Sequence, residues 1–224
     1  MFNGKMKAVT FSYDDNVKQD KRFIELLNKY GLKGTFNLNS QRFGDVTLKE
    51  AQKANIKSTE AESVYEGHEI AVHTLTHPDL VKLSDEEIIR EVEEDRLILS
   101  EIAGYEVVGM AYSYGTYDER VVNLLKSKTG VKYSRTVSST YNFEPQSELL
   151  TFNPTLHHND KKLFEIAENF INLKTDKPQI FYIWGHTYEF DHEAGMWERI
   201  EEFMKLISRK DDIFYGTNKE ILLK

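Results

Sequence analysis

The 224-residue chain has no cysteine. Disulfide bridges and thiolate metal sites are therefore excluded. Any metal must rest on His, Asp or Glu, a donor set that admits Zn, Mn, Ni, Co or Fe(II). Basic charge is also scarce: 29 Lys and Arg stand against 37 Asp and Glu, a net charge of −8. A nucleic-acid binder needs a basic face to neutralise phosphates, so no nucleic-acid partner is expected. No apolar run is long enough to span a bilayer, and the opening Met1-Phe2-Asn3-Gly4-Lys5-Met6-Lys7 lacks the apolar stretch of a signal peptide. The expectation is a soluble, cytoplasmic chain with no membrane partner. Only four prolines occur and no Pro/Ser-rich linker divides the sequence, so residues 1–224 read as one domain. That length buries a full core without staples.

What is present is a recurring β-then-α pattern. Lys7–Tyr13 alternates as a strand. Val17, Phe23, Leu26, Leu27 and Tyr30 follow at helical spacing, and Gly31 ends that helix. Gly34–Leu38 and Glu69–His73 read as further strands, with a short helix over Leu48–Ala54 in the polar stretch between them. Ser84-Asp85-Glu86-Glu87 is a capping box that opens a helix ending near Gly104. Val107–Tyr112, Val131–Val137, Leu149–Phe152, Gln179–Trp184 and Asp212–Tyr215 complete about eight strands. Helix faces run over Glu119–Lys128, Leu163–Ile171 and Trp197–Ile207, and a terminal helix follows Gly216. Such alternation implies parallel strands with right-handed crossovers. A closed or nearly closed α/β barrel is favoured, although an open doubly wound sheet would give a similar string.

Polar clusters fall at the ends of these strands. Ser12-Tyr13-Asp14-Asp15 follows the first, His73-Thr74-Leu75-Thr76-His77 the third, Ser113-Tyr114-Gly115 the fourth, and His186 the strand ending at Trp184. In a β/α barrel these ends open on one face, which carries the chemistry. Two imidazoles and one carboxylate can hold a catalytic metal with open positions, leaving the second Asp as a base. His157-His158 is a weaker pair, because adjacent rings do not easily reach one metal, and it is assigned to the surface or a substrate loop. His68 and His192 have no visible partners and are taken as solvent-facing.

These motifs resemble the polysaccharide deacetylases, the NodB-homology group of carbohydrate esterases (family 4). Thr-Phe-Asp-Asp-Gly of that family corresponds to Ser12-Tyr13-Asp14-Asp15-Asn16, and His-(Ser/Thr)-x-x-His to His73–His77. Arg-x-Pro-Tyr-Gly corresponds to Ala111-Tyr112-Ser113-Tyr114-Gly115. An apolar strand ending in His corresponds to Phe181–His186. The resemblance implies a deformed (β/α) barrel, often seven-stranded, and metal-dependent removal of N-acetyl groups from amino sugars. It implies Asp15, His73 and His77 as ligands of a divalent ion (Zn first, then Co, Ni or Mn). It further implies Asp14 as base, His186 as general acid and the Tyr114 backbone N–H as an oxyanion donor. Two family residues are missing. Ala111 stands where an Arg holds the base, and Arg135 is the proposed substitute. Ser134–Phe143 lacks the Asp that orients the catalytic His, and Glu189 or Asp191 are candidates for that task. The leading expectation is an N-deacetylase acting on an N-acetylated carbohydrate. The alternatives are hydrolysis of another C–N bond in a small soluble amide, or a non-catalytic carbohydrate binder.

Overall fold

The computed structural model describes residues 2–45 and 55–223; the helix expected over Leu48–Ala54 lies outside them. Eight parallel strands form one curled sheet: β1 (Lys7–Asp14), β2 (Gly34–Leu38), β3 (Glu69–Val72), β4 (Gly109–Ala111), β5 (Tyr133–Arg135), β6 (Leu156–His157), β7 (Gln179–Gly185) and β8 (Ile213–Tyr215). Seven run in the order β5-β4-β3-β2-β1-β7-β6, and β8 pairs with β1. Along one edge β1 pairs with β7 over Lys7–Tyr13. Its other edge is shared: Lys7–Val9 pair with β8, whereas Phe11–Asp14 pair with β2.

Helices α1 (Asp20–Tyr30), α2 (Ser58–Val64), α3 (Asp85–Ile89), α4 (Asp95–Ala103), α5 (Glu119–Lys128), α6 (Leu163–Asn172) and α7 (Met196–Ile207) connect the strands, and α8 (Asn218–Leu222) follows β8. Ser84 caps α3 as its sequence requires, accepting from Glu87 N and receiving the Glu87 carboxylate on its own N–H.

The period-2 alternation of β1 sorts its side chains. Val9, Phe11 and Tyr13 join the apolar core with Phe23 of α1 and Phe203 of α7. Thr10, Ser12 and Asp14 lie on the opposite side, all buried. There Thr10 Oγ1 donates to Asn218 Oδ1 (2.8 Å), and Asn218 Nδ2 donates to the Tyr182 hydroxyl (2.6 Å). Glu69 accepts from Thr35 Oγ1 (2.8 Å), Tyr133 OH (2.7 Å) and Lys219 N (2.9 Å). Burial of so many polar groups is tolerable because they satisfy one another. Thus α8 floors the barrel at the N-terminal ends of the strands, and the opposite mouth stays open.

The curl is completed by segment 149–157, where the structure differs from expectation. Leu149–Thr151 is a 3-10 turn, not a strand, and only Phe152 bridges β5, through Phe152 N to Ser134 O (3.0 Å) and Thr136 N to Phe152 O (2.9 Å). Pro154 lacks an N–H and interrupts the ladder. Pairing resumes at Leu156–His157, this time with β7. The fourth and fifth strands are also shorter than their apolar runs, because Val107, Val108 and Val131 are buried outside the ladders.

Candidate active site

Asp14 is the last residue of β1, and the chain turns sharply after it: Asp15 and Asn16 have φ of 82° and 43°. Left-handed conformations cost energy in residues other than glycine and concentrate at functional sites. The Asp14 carboxylate is buried. Asn37, its register partner on β2, donates to Oδ1 (2.8 Å), and Arg135 Nη2 donates to Oδ2 (2.5 Å). Burial pushes the Asp14 carboxyl up. The Arg135 guanidinium, with His73 and His186, outweighs it and holds the group at about 2. Arg135 is itself fixed by Ser12 Oγ (3.2 Å), Thr136 O (3.1 Å) and the Trp184 ring, 4.4 Å from the guanidinium carbon. Arg135, at the end of β5 and paired in register with Ala111, thus reaches the Asp14 carboxylate.

His73 leaves β3 with its Nδ1 2.8 Å from the carbonyl oxygen of Ala111. A carbonyl only accepts, so Nδ1 carries a proton, and in the neutral ring Nε2 keeps its lone pair. That Nε2 lies 4.0 Å from Asp15 Oδ1, and His77 Nε2 lies 3.7 Å from the same oxygen. One donor atom from each of Asp15, His73 and His77 falls within 4.8 Å of the others. Asp15 Oδ1 is buried and accepts no hydrogen bond. Burial and the neighbouring His73 push the His77 imidazole down to about 4, which keeps it neutral. The two imidazole Nε2 atoms and the Asp15 carboxylate, whose Oδ1 also lies 3.5 Å from Arg42 Nη1, offer a divalent ion three donors.

His186 follows β7, with Nε2 3.8 Å from Asp14 Oδ2 and 3.9 Å from Asp15 Oδ2. Burial works against its protonated form, but Glu189, Asp14 and Asp15 outweigh it and raise the imidazole above its ordinary value. Tyr114 sits in a 3-10 turn after β4 with φ of 58°, and its ring meets His77 edge-on at 4.5 Å. Asp14, Asp15, His73, His77, Tyr114 and His186 line a cavity of about 520 Å3, walled further by Trp184 and Tyr188.

His158 does not lie on the surface as expected, whereas His157 is half-buried. His158 is fully buried, and its Nε2 approaches Glu189 Oε2 at 2.9 Å; His157 Nε2 lies 3.2 Å from the same oxygen. The cause is β6, which pulls the pair into the sheet beside Gly185, where any Cβ would collide with His158. This second cluster differs from the first in its proton positions. Asn159 N–H donates to His157 Nδ1 (3.1 Å), so in the neutral ring Nε2 bears the proton and has no lone pair for a metal. Glu189 Oε1 also lies 3.4 Å from His186 Nδ1, whereas Asp191 is engaged by Gln19 (2.7 Å) and Trp197 (2.8 Å) instead.

His68 is likewise buried, accepting from Gly34 N on Nδ1 (3.1 Å) with Asn28 Oδ1 3.2 Å from Nε2; His192 is exposed as expected. Sequence reasoning missed Asn37, although a polar residue at the end of β2, level with Asp14, was a signal available to it.

Residues 3–134, more than half the chain, match the family model described as polysaccharide deacetylase. Peptidoglycan-N-acetylglucosamine deacetylase of Bacillus cereus is 27% identical over 131 residues, which are 57% of this chain and 42% of that protein. Among solved structures, a Mycobacterium smegmatis protein provisionally described as a polysaccharide deacetylase superposes with a TM-score of 0.68 at 17% identity, covering 98% of this chain and 90% of its own. A family 4 carbohydrate esterase from Streptomyces lividans, solved with acetate, gives 0.59 at 14% identity over 91% and 89%. The fold is therefore the deformed (β/α) barrel, and the chain belongs to the polysaccharide deacetylase family.

Proposed function

We propose that residues 1–224 form a catalytic domain that hydrolyses N-acetyl groups from an amino-sugar oligomer or glycan, with a divalent ion held by Asp15, His73 and His77. The observation that carries this reading is the convergence of two carboxylates and three imidazoles at one mouth. Asp14 or Asp15 lies 3.7–4.0 Å from each ring. When bound, the ion would supply a Lewis acid for the acetyl carbonyl and would acidify water.

Asp14, anchored by Arg135 and Asn37, accepts the proton of the attacking water. The Tyr114 N–H serves as a donor to the oxygen on which negative charge develops, where preorganised dipoles count most. His186 in its protonated form gives its proton to the departing amine, which leaves poorly without it. Arg135 replaces the family's missing Arg by keeping the Asp14 carboxylate ionised and oriented.

The test is acetate release from N-acetylglucosamine oligomers by metal-stripped protein resupplied with Zn, Co, Ni or Mn. Metal-dependent acetate that disappears in Asp14→Asn supports the reading. Bound metal without acetate from any oligomer refutes the N-acetyl substrate, and small amides would then be assayed.

A further inference from the structure

The helix from Asp85 to Ala103 is not α-helical throughout. Residues Arg90–Glu94 form a π-helical turn between α3 and α4. Such turns are rare and frequently lie at functional sites. This one faces the loop between His73 and His77. The Glu91 carbonyl accepts from Leu75 N (2.9 Å), while its carboxylate takes both donors of Thr76, the backbone N at Oε2 (2.9 Å) and Oγ1 at Oε1 (3.0 Å). One buried residue therefore makes three hydrogen bonds to the two residues in the middle of the loop. Immediately after the turn, Asp95 Oδ1 accepts from Ser40 N (2.8 Å), which ties the same helix to the loop after β2.

The loop needs this restraint. Thr74 and His77 have φ of 70° and 64°, conformations that cost of order 1 kcal/mol or more in β-branched and bulky residues. Contacts from outside the loop help to hold it: Asn39 Nδ2 donates to Thr74 O (2.8 Å) and Gln41 N to Leu75 O (3.2 Å). Thr74 Oγ1 accepts from His77 N (3.1 Å) and contacts Ser113 Oγ (2.9 Å), bonds that fix the loop internally and to the turn after β4. Glu91 fixes its outer turn.

We infer that Glu91 is a positioning residue for the metal loop, acting through Leu75 and Thr76 to set His77 against Asp15 and His73. The inference rests on the proposed metal site.

Two readouts test it. Divalent-ion affinity is measured by titration of the metal-stripped chain with Co(II) and Zn(II). Amide hydrogen exchange at Leu75, Thr76 and His77 is followed in the metal-free chain. In Glu91→Ala, exchange at Thr76 should accelerate and the metal Kd should rise roughly 10–100-fold, the range seen when a group that orients a ligand is removed. Glu91→Gln, which keeps one acceptor, should fall between. A folded Glu91→Ala protein with unchanged Kd overturns the inference. If that variant fails to fold, Thr76→Val decides, since it exchanges the hydroxyl for a methyl group and removes the Oγ1 bond to Glu91: a raised Kd at unchanged melting temperature supports the inference, and an unchanged Kd overturns it. A native chain that takes up no metal refutes the metal site itself, and the exchange data then separately show whether Glu91 holds the loop.

Discussion

Replacing Arg135 with Met keeps much of the buried volume while removing the charge beside Asp14. Both side chains are almost fully buried, at 1% and 3% exposure, and 2.5 Å apart. Removing one member of such a pair typically costs about 3–5 kcal/mol, because the other charge is left buried alone. The pH dependence separates this from lost packing. In the native protein the Asp14 carboxyl is depressed from 3.8 to about 2, so its stabilising contribution is present above pH 4 and is lost as pH falls towards 2. That depression is equivalent to about 2 kcal/mol. Without Arg135, burial, the largest upward influence, is opposed only by His73 and His186, so the carboxyl should rise and its stabilising contribution above pH 4 should shrink. The stability gap between native and Arg135→Met proteins should therefore be widest near neutrality and shrink as both are acidified. Urea unfolding of the metal-stripped proteins from pH 3 to 7 measures it. Arg135→Met made in an Asp14→Asn background should cost about 2 kcal/mol less at pH 7 than in the native background. A gap of constant size across that range, or no coupling to Asp14, would refute the argument. It would assign Arg135 to packing against Trp184 and Ser12 alone.

His77→Ala should abolish metal uptake and activity together, whereas Asp14→Asn should retain metal and lose activity by orders of magnitude; equal metal loss in both, by elemental analysis, would contradict the division of roles. Gly185→Ala should lower stability by about 1–3 kcal/mol through overpacking, since its Cβ would lie 2.0 Å from His158 Nδ1, and a native melting temperature would refute that collision. Asp20, bonded by Thr187 (2.5 Å) and Tyr65 (2.8 Å), is pushed by burial to about 7. Its contribution is complete below pH 4 and lost as pH rises through 7. Asp20→Asn should therefore gain on the native protein above pH 7 by up to about 4 kcal/mol, and a constant difference in unfolding free energy from pH 5 to 9 would refute this.

Long strands and capped helices were legible in the sequence because their signals are local. The strand over Lys7–Tyr13, the Ser84 capping box and the helical faces of α6 and α7 all appear where expected. Strand-end polar residues were legible for a related reason: a parallel barrel sends all such ends to one mouth. The barrel's closure was not. Leu156–His157 is too short to show a period, and the apolar Leu149–Phe152 run looks more like a strand than the real one does. The burial of His68 and His158 depends on long-range partners, Gly34 and Gly185, that leave no mark near either residue. Glu91 was invisible because its role comes from a single wide turn inside a helix whose apolar spacing continues almost undisturbed.

The divided edge of β1 also has a temporal meaning. The half that ends in Asp14 pairs with β2, and Asn37 is only 23 residues from Asp14. The half that begins at Lys7 waits for β8, and Thr10 waits for Asn218, 208 residues away. At roughly 5–20 residues per second, a ribosome needs some 10–40 s to deliver that second partner after the first strand emerges. A nascent chain can therefore pair the Asp14 end of β1 with β2 while the floor of its barrel stands open. Over that interval the chain would be most exposed to chaperones and proteases, and completion of residues 213–222 is the step that seals it.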